Sequence, residues 1–438
     1  MRARDPVSTG VAAAAGVAVA RARTELSGRV LAVTLRAVAD ADIAEEATAE
    51  AFLSAVETWP RTGVPESPEA WLITVARRKA LDRLRRDSLG RRLALRMLPP
   101  QPHPAADSGI DVGVIGDEEL RLVVLCADPR LPESDQIALT LKWACGASTA
   151  AIAAAHLVST PTMAARLTRA RKKLAAAGPR LDLPDDATVD ARLPAVCRVL
   201  HLAYTLGHTA ADGAELTDED LTGRAVHLTR TLHRQRPKDA EITGLLALVL
   251  LGQARSSSRI VDGRQVLLAD ADRTAWDRAL ADEGLALSEL ALAQGIVAGA
   301  RPGPLALQAA ISAAHTRASS FADTDWRLIV QLYGLLLTAE PSHTHALGRC
   351  VAVSYLYGPQ VGLADLDGVM ADGVLDRYPY AHAARAQLLE RAGRPEDAVR
   401  AWQAAAATGR TDAERAYFTE RAGNSRAPAV VATEREHS

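Results

Sequence analysis

Glu69-Ala-Trp-Leu-Ile-Thr-Val-Ala-Arg-Arg-Lys-Ala-Leu-Asp-Arg-Leu-Arg-Arg86 is the stretch from which the fold is best read. Trp71, Leu72, Val75, Ala80, Leu81 and Leu84 recur at the spacing of one buried helical face. Arg77, Arg78, Lys79, Arg83, Arg85 and Arg86 fill the opposite face. A cationic face of this kind suits phosphates, and a neighbouring aromatic can hold an unstacked base on a single strand. The same pattern also fits a solvated helix with Trp71 in the core.

Working outward, Leu26, Val30, Val33 and Ala37 predict a helix before it, and Ile43, Ala47, Glu50, Ala51 and Ala55 a second. The second starts acidic over Asp40–Glu50, and Trp59-Pro60 is expected to end it. Residues 61–68 read as a turn-rich loop. Residues 99–116 are rich in proline, then glycine, and read as a flexible acidic linker. Beyond it, Leu120, Val123, Val124 and Ala127 predict a short helix stopped by Pro129, followed by a helix over Glu133–Ala144. Ser148 is placed to cap a helix over Thr149–Ala155. Thr160, as the capping hydroxyl, and Pro161 at the first helical position open another, with Met163, Leu167, Ala170 and Leu174 inward and Arg166, Arg169, Arg171, Lys172 and Lys173 on its other faces. Two helices joined by a short turn, the second basic, form a helix-turn-helix pattern, whose second helix enters the major groove. A plain helical hairpin would show the same periodicity.

From about Asp190 the chain reads as a series of helix pairs. Ala384–Ala405 is the clearest unit, with Gly393 at its turn and Leu388, Leu389, Val399 and Trp402 on its buried face. Paucity of aromatic residues, 4% of the chain, and abundant Ala and Leu favour an all-α protein. The net charge of −2 carries no message about partners, but the local basic patches do. Cys126, Cys145, Cys197 and Cys350 lack metal or disulfide spacing, which fits a reducing cytoplasm. No stretch is apolar enough to span a bilayer, and the Ala/Gly-rich residues 11–20 read as the start of a helix rather than a signal peptide. No catalytic constellation, metal site or cofactor motif is expected. His201 and His208 read as structural.

The order of these elements resembles an ECF (extracytoplasmic function) sigma factor of the sigma-70 family. The segments Asp42–Phe52, Glu69–Arg86 and Thr162–Arg171 carry the likeness. Ala269–Leu280 and Ala322–Trp326 are similar to the group with a C-terminal TPR-containing extension. The resemblance implies an all-α chain: a sigma-2 helical domain over 1–96, a linker over 97–116, a sigma-4 helix-turn-helix domain over 117–180, a TPR-like helical repeat domain over 181–424 and a disordered tail over 425–438. It implies that Asp42, Glu45, Glu46 and Glu50 bind core RNA polymerase at its clamp, with a further contact at the flap. Trp71, Arg77, Arg78, Asp82, Arg83, Arg85 and Arg86 would hold the single-stranded −10 element, and residues 59–68 would capture a flipped base. Ser159, Thr160, Thr162, Ala165, Arg166, Arg169, Arg171 and Lys172 would read the double-stranded −35 element. Helix-pair repeats build a concave surface that suits a protein or peptide ligand; the domain could mask the DNA-binding elements or support activity, and the acidic junction over Asp182–Asp186, with little free linker, favours support.

Arg78 replaces the family's usual Asn, and Ala164 and Ala165 replace longer or polar residues, so −35 readout would lean on Thr162, Arg166 and Arg169, or on DNA shape. Thr205–His208 stands where the group has an Asn-Glu-Gly-Tyr-like run, so no role of that run carries over. The alternative readings are a stand-alone helix-turn-helix regulator and a TPR interaction scaffold.

Overall fold

The computed structural model describes residues 6–95, 118–156, 158–176, 186–208, 219–261, 264–409 and 411–425. The linker over 97–116, most of the acidic junction that starts at Asp182 and all but the first residue of the tail lie outside them. The described chain is helical apart from a two-residue antiparallel ladder, Ile260–Val261 on Arg264–Gln265. It divides into two compact units, the first ending with Gln235 and the second running on from Arg236.

The first unit opens with α1 (Pro6–Val38), α2 (Ala41–Thr62) and α3 (Pro68–Leu95). Ala15, Val19, Ala22 and Val30 of α1 pack on Ala51, Phe52, Ala55 and Trp59 of α2 and Leu72 and Ala76 of α3. The many alanines let the three axes approach closely. Ala15 and Val19, within the Ala/Gly-rich residues 11–20, are thus part of this core. Asp40 caps α2, accepting from the Ile43 amide at 3.0 Å. The expected stop at Trp59-Pro60 falls late by two residues, because α2 continues through Pro60 to Thr62. Gly63, at φ +83°, then ends it, its amide bonding the Trp59 carbonyl.

The same unit continues with α4 (Glu118–Cys126), α5 (Glu133–Trp143), α6 (Thr149–Ala155) and α7 (Thr160–Ala175). These agree closely with the expected boundaries. Ser148 caps α6, accepting from Ala151 at 3.0 Å. The cap of α7 is Ser159 rather than Thr160, since its extended backbone (φ −71°, ψ 150°) aims the hydroxyl at the Thr162 amide. Two further helices, α8 (Asp186–His208) and α9 (Glu219–Gln235), complete the unit. They are needed because α4 is buried along most of its surface: Leu120, Leu122, Val123, Val124 and Cys126 are all 0% exposed, and Glu118, Arg121 and Leu125 are partly open. A helix with so wide an apolar face must be covered by several neighbours. Neighbours α1, α5, α8 and α9 enclose it.

One buried ion cluster joins α8 to this centre. Asp128 accepts from Arg130 at 2.6 and 2.8 Å and from Arg192 of α8 at 3.0 Å, and Arg192 also bonds the Val124 carbonyl. The Arg130 hydrogen bond, against the opposing effect of burial, holds the Asp128 carboxyl below its usual range. Its folded value lies below its unfolded one, so the contribution is complete above about pH 4 and is lost as pH falls further. Asp128→Ala leaves Arg192 buried without its partner and is expected to cost about 3–5 kcal/mol. Thermal melts at pH 7 and pH 3 check this: the gap between wild type and variant should shrink at the lower pH.

The second unit is built of α10 (Ala240–Ala254), α11 (Arg278–Val297), α12 (Pro304–Arg317), α13 (Trp326–Ala339), α14 (His343–Tyr357), α15 (Pro359–Met370), α16 (Pro379–Arg391), α17 (Pro395–Thr408) and α18 (Asp412–Asn424). Each packs on its chain neighbour, and α10 on α12 and α14 on α16 carry the stacking to the next pair. Gly244 permits one such approach, because a Cβ there would lie 2.6 Å from the Ala306 amide nitrogen. In Ala384–Ala405, Gly393 turns the chain at φ +71° and Leu388, Leu389, Val399 and Trp402 are buried, as the pattern predicts. The segments Ala269–Leu280 and Ala322–Trp326 act as joints. Arg273 donates to the carbonyls of His315 and Ala318 at the end of α12, both at 2.7 Å. Asp325 caps α13, and Trp326 stacks on Tyr355 at 4.3 Å.

Candidate polymerase and nucleic-acid interface

The basic helix α3 turns its face outward as its spacing predicts. Arg77, Arg78, Asp82, Arg85 and Arg86 are exposed, and the first four border a shallow depression of about 350 Å³ that Ile73 and Leu81 also line. Trp71 is half-buried. It packs edge-on to Trp59 at 5.7 Å, with only part of its ring open to solvent. Arg83 is turned inward, pairing with Glu46 at 2.5 Å and Glu50 at 3.3 Å. Lys79 joins Glu50 at 3.2 Å. The acidic helix and the basic helix are therefore zipped along one edge, and Arg77, Arg78, Arg85 and Arg86 stay exposed.

Along α2 the candidates separate. Asp42 and Glu46 are exposed, Glu50 is half-buried against α3, and Glu45 is half-buried on another side. The exposed stripe runs on through Ala49 to Leu53 and Val56, which are 62% and 54% exposed. These two apolar positions were missed in reading the sequence. Their signal is the alternating four-and-three spacing that begins at Asp42. A stripe acidic at one end and apolar at the other suits a protein surface better than water.

On α7, Met163, Leu167 and Ala170 face the core and Ser159, Thr160, Thr162, Ala165, Arg169 and Lys172 face solvent. Arg166 is half-buried, 3.7 Å from Asp135 of α5. Burial, with Arg166 adding to it and Asp135 opposing, holds His156 below the usual imidazole range. Arg171 is drawn towards the first three helices: it pairs with Glu45 and lies 3.4 Å from Asp42. The structure thus brings two predicted sets, one on α2 and one on α7, into direct contact. Burial pushes the Cys126 thiol up to about 12 and the Cys350 thiol to about 11, so neither ionises near neutrality.

The sequence profile of sigma-70 region 2 matches residues 24–89, which hold every candidate on α2 and α3. A profile described as a family of unknown function, DUF6596, matches residues 192–292, from α8 into α11. The protein R00370 of Rhizobium meliloti, described as uncharacterized, is 38% identical over 95% of this chain and 97% of its own. The chain belongs to the family of that rhizobial protein. Its N-terminal helices are a sigma-70 region 2, the mark of a sigma-70 family sigma factor. The ECF RNA polymerase sigma factor SigK of Mycobacterium tuberculosis is 33% identical over 22% of this chain and 51% of its own, and that of Mycobacterium ulcerans is 36% identical over 23% and 54%. The likeness to SigK therefore spans about half of each SigK and lies in the N-terminal part of this family member. Among solved structures, yeast Tom70 covers 96% of this chain and 88% of its own at a TM-score of 0.34 and 12% identity, too loose a likeness to bear on the fold. No described helix is long and apolar enough to cross a membrane.

Proposed function

We propose that the chain is an alternative sigma factor of ECF type, which binds core RNA polymerase and directs it to promoters. The observation that carries this reading is the pair α2 and α3. One domain that matches sigma-70 region 2 offers an acidic and apolar stripe to a protein partner and a cationic face to a nucleic acid. Helix α2 docks on the polymerase clamp through Asp42, Glu45, Glu46 and Glu50, with Leu53 and Val56 extending the contact. Helix α3 and the loop before it hold the melted −10 strand by phosphate pairing and base stacking on Trp71. Helix α7 lies in the major groove at −35, Arg166 and Arg169 reaching bases and Arg171 and Lys172 phosphates. No covalent chemistry is involved. Binding energy to the single strand offsets the cost of unpairing. The repeat unit supports activity and takes a protein or peptide ligand, and the protein works in the cytoplasm.

The decisive experiment is transcription in vitro with purified core and the full chain. A sigma factor binds its promoter specifically only with core, whereas a stand-alone regulator binds its operator by itself. Reversing Glu45 and Glu46 to lysine should weaken core binding at least tenfold with the helical circular dichroism intact. An unchanged affinity in a pull-down titration removes the assignment. Arg166→Ala should lose roughly 1–3 kcal/mol at one promoter base and relax specificity there, while Lys172→Ala should weaken all promoters alike. If Arg166→Ala scales every promoter equally, it does not read bases.

A further inference from the structure

Helices α2 and α7 mask one another within the first unit. Arg171 pairs with Glu45 and approaches Asp42, and both members of the closer pair are half-buried, at 25% and 22% side-chain exposure. A guanidinium held by its own chain's carboxylates cannot neutralise a DNA phosphate, and those carboxylates cannot at the same time meet a basic protein surface. Arg36 of α1 adds a second pair, with Glu118 of α4.

A single buried side chain ties the same parts together from behind. Arg224 of α9 donates to Glu119 of α4, to the Ala144 carbonyl after α5 at 2.5 Å and to the Glu25 carbonyl of α1. Arg224 and Glu119 are both nearly sealed from solvent. Gly28 of α1 makes room for them. A Cβ there would lie 2.6 Å from Arg224 Nη2 and 2.7 Å from the Ala144 carbonyl, and would strike the Glu119 carboxylate. Helix α1 thus carries a notch into which the α9–α4 ion pair fits.

We propose that Arg224 is a latch, holding the helix-turn-helix half against α1 and α2 in a resting state that must open before polymerase and promoter can be engaged. The masking rests on the roles given to α2 and α7 above. The chemistry of the joint favours a switch over a permanent weld. A buried ion pair recovers much of its lost hydration when it opens, so it adds less net stability than apolar packing of the same volume. Its geometry is nonetheless specific, which gives two discrete arrangements rather than a gradual loosening.

The test uses the full chain with Glu57→Cys on α2 and Lys173→Cys on α7 carrying a fluorescence donor and acceptor. Both positions are exposed, and the four native cysteines are buried. Wild type should give one high-transfer population that falls when core polymerase is added. Arg224→Met should lower transfer without core and tighten core binding roughly tenfold, the population-shift effect of releasing a closed state. The double variant Arg224→Met, Glu119→Leu, with both charges gone, should return towards closure. Gly28→Leu wedges the notch with every charge in place and should open the chain as Arg224→Met does, which keeps the test decisive if one variant fails to fold. Folded variants with unchanged transfer overturn the latch, and opening without tighter core binding overturns the masking. If no form binds core, open or closed, the reading of α2 fails, while the transfer data still decide the latch.

Discussion

A chain cut after Arg180 is expected to lose promoter-directed activity with core polymerase, because its helix-turn-helix half loses the walls of its core. Helices α8 and α9 lie beyond the cut, yet they enclose α4 and supply Arg192 to Asp128 and Arg224 to Glu119. Exposing even part of Leu120, Leu122, Val123 and Val124 forfeits several kcal/mol, at about 1.5–3 kcal/mol for each fully buried side chain. A domain stable by roughly 5–15 kcal/mol has little margin for that loss. The truncated chain should melt well below wild type and direct few transcripts. A truncation that melts as wild type does and is equally active would sink this supporting role. One more active than the full chain would show that restraint outweighs support. The latch and the support are separable, since Arg224→Met leaves every apolar wall in place.

The second large effect is expected at Trp402→Ala. Trp402 is 0% exposed, stacks on Phe418 with ring centres 6.0 Å apart and donates to Glu390 at 2.8 Å. Arg421 covers its ring at 4.8 Å and also pairs with Glu390 at 2.9 Å. Truncation removes the largest side chain at this centre and leaves the Glu390 carboxylate short of a donor, a loss of about 3–5 kcal/mol. Denaturant unfolding should show the transition of the second unit moved to lower concentration. A shift worth less than about 1 kcal/mol would mean that α16, α17 and α18 close over the gap.

Much of this was legible in the sequence, for a physical reason. Helices α3, α5, α6 and α7 are short-range objects: their caps, turns and apolar spacing lie within a few residues of one another. Trp402, Val399 and Gly393 were readable on the same grounds. The choice of Ser159 over Thr160 as the cap was not, because two adjacent hydroxyls differ only in the backbone angles the turn imposes. Nor was the passage of α2 through Pro60, which depends on Gly63 closing the helix one turn later. The site was harder. The cations of α3 and the outward residues of α7 follow from periodicity; the stripe through Leu53 and Val56 carries the same signal but was missed. The pairing of Arg171 with Glu45 spans 126 residues and leaves no trace in local spacing. The same holds for α8 and α9, which the sequence assigns to the C-terminal region and the packing assigns to the first unit.

The far reach of Arg224 bears on how the protein is made. Its partners Glu25, Glu119 and Ala144 stand 199, 105 and 80 residues earlier in the chain. During synthesis the helices proposed to meet polymerase and DNA leave the ribosome well before α9 exists. Chains fold from their N-terminal end as they emerge, at about 5–20 residues per second. For several seconds of each round of translation, then, α2 and α7 are made but not yet fastened, and α4 waits with its apolar faces uncovered. The nascent chain passes through an unlocked form that the finished protein must reopen to regain.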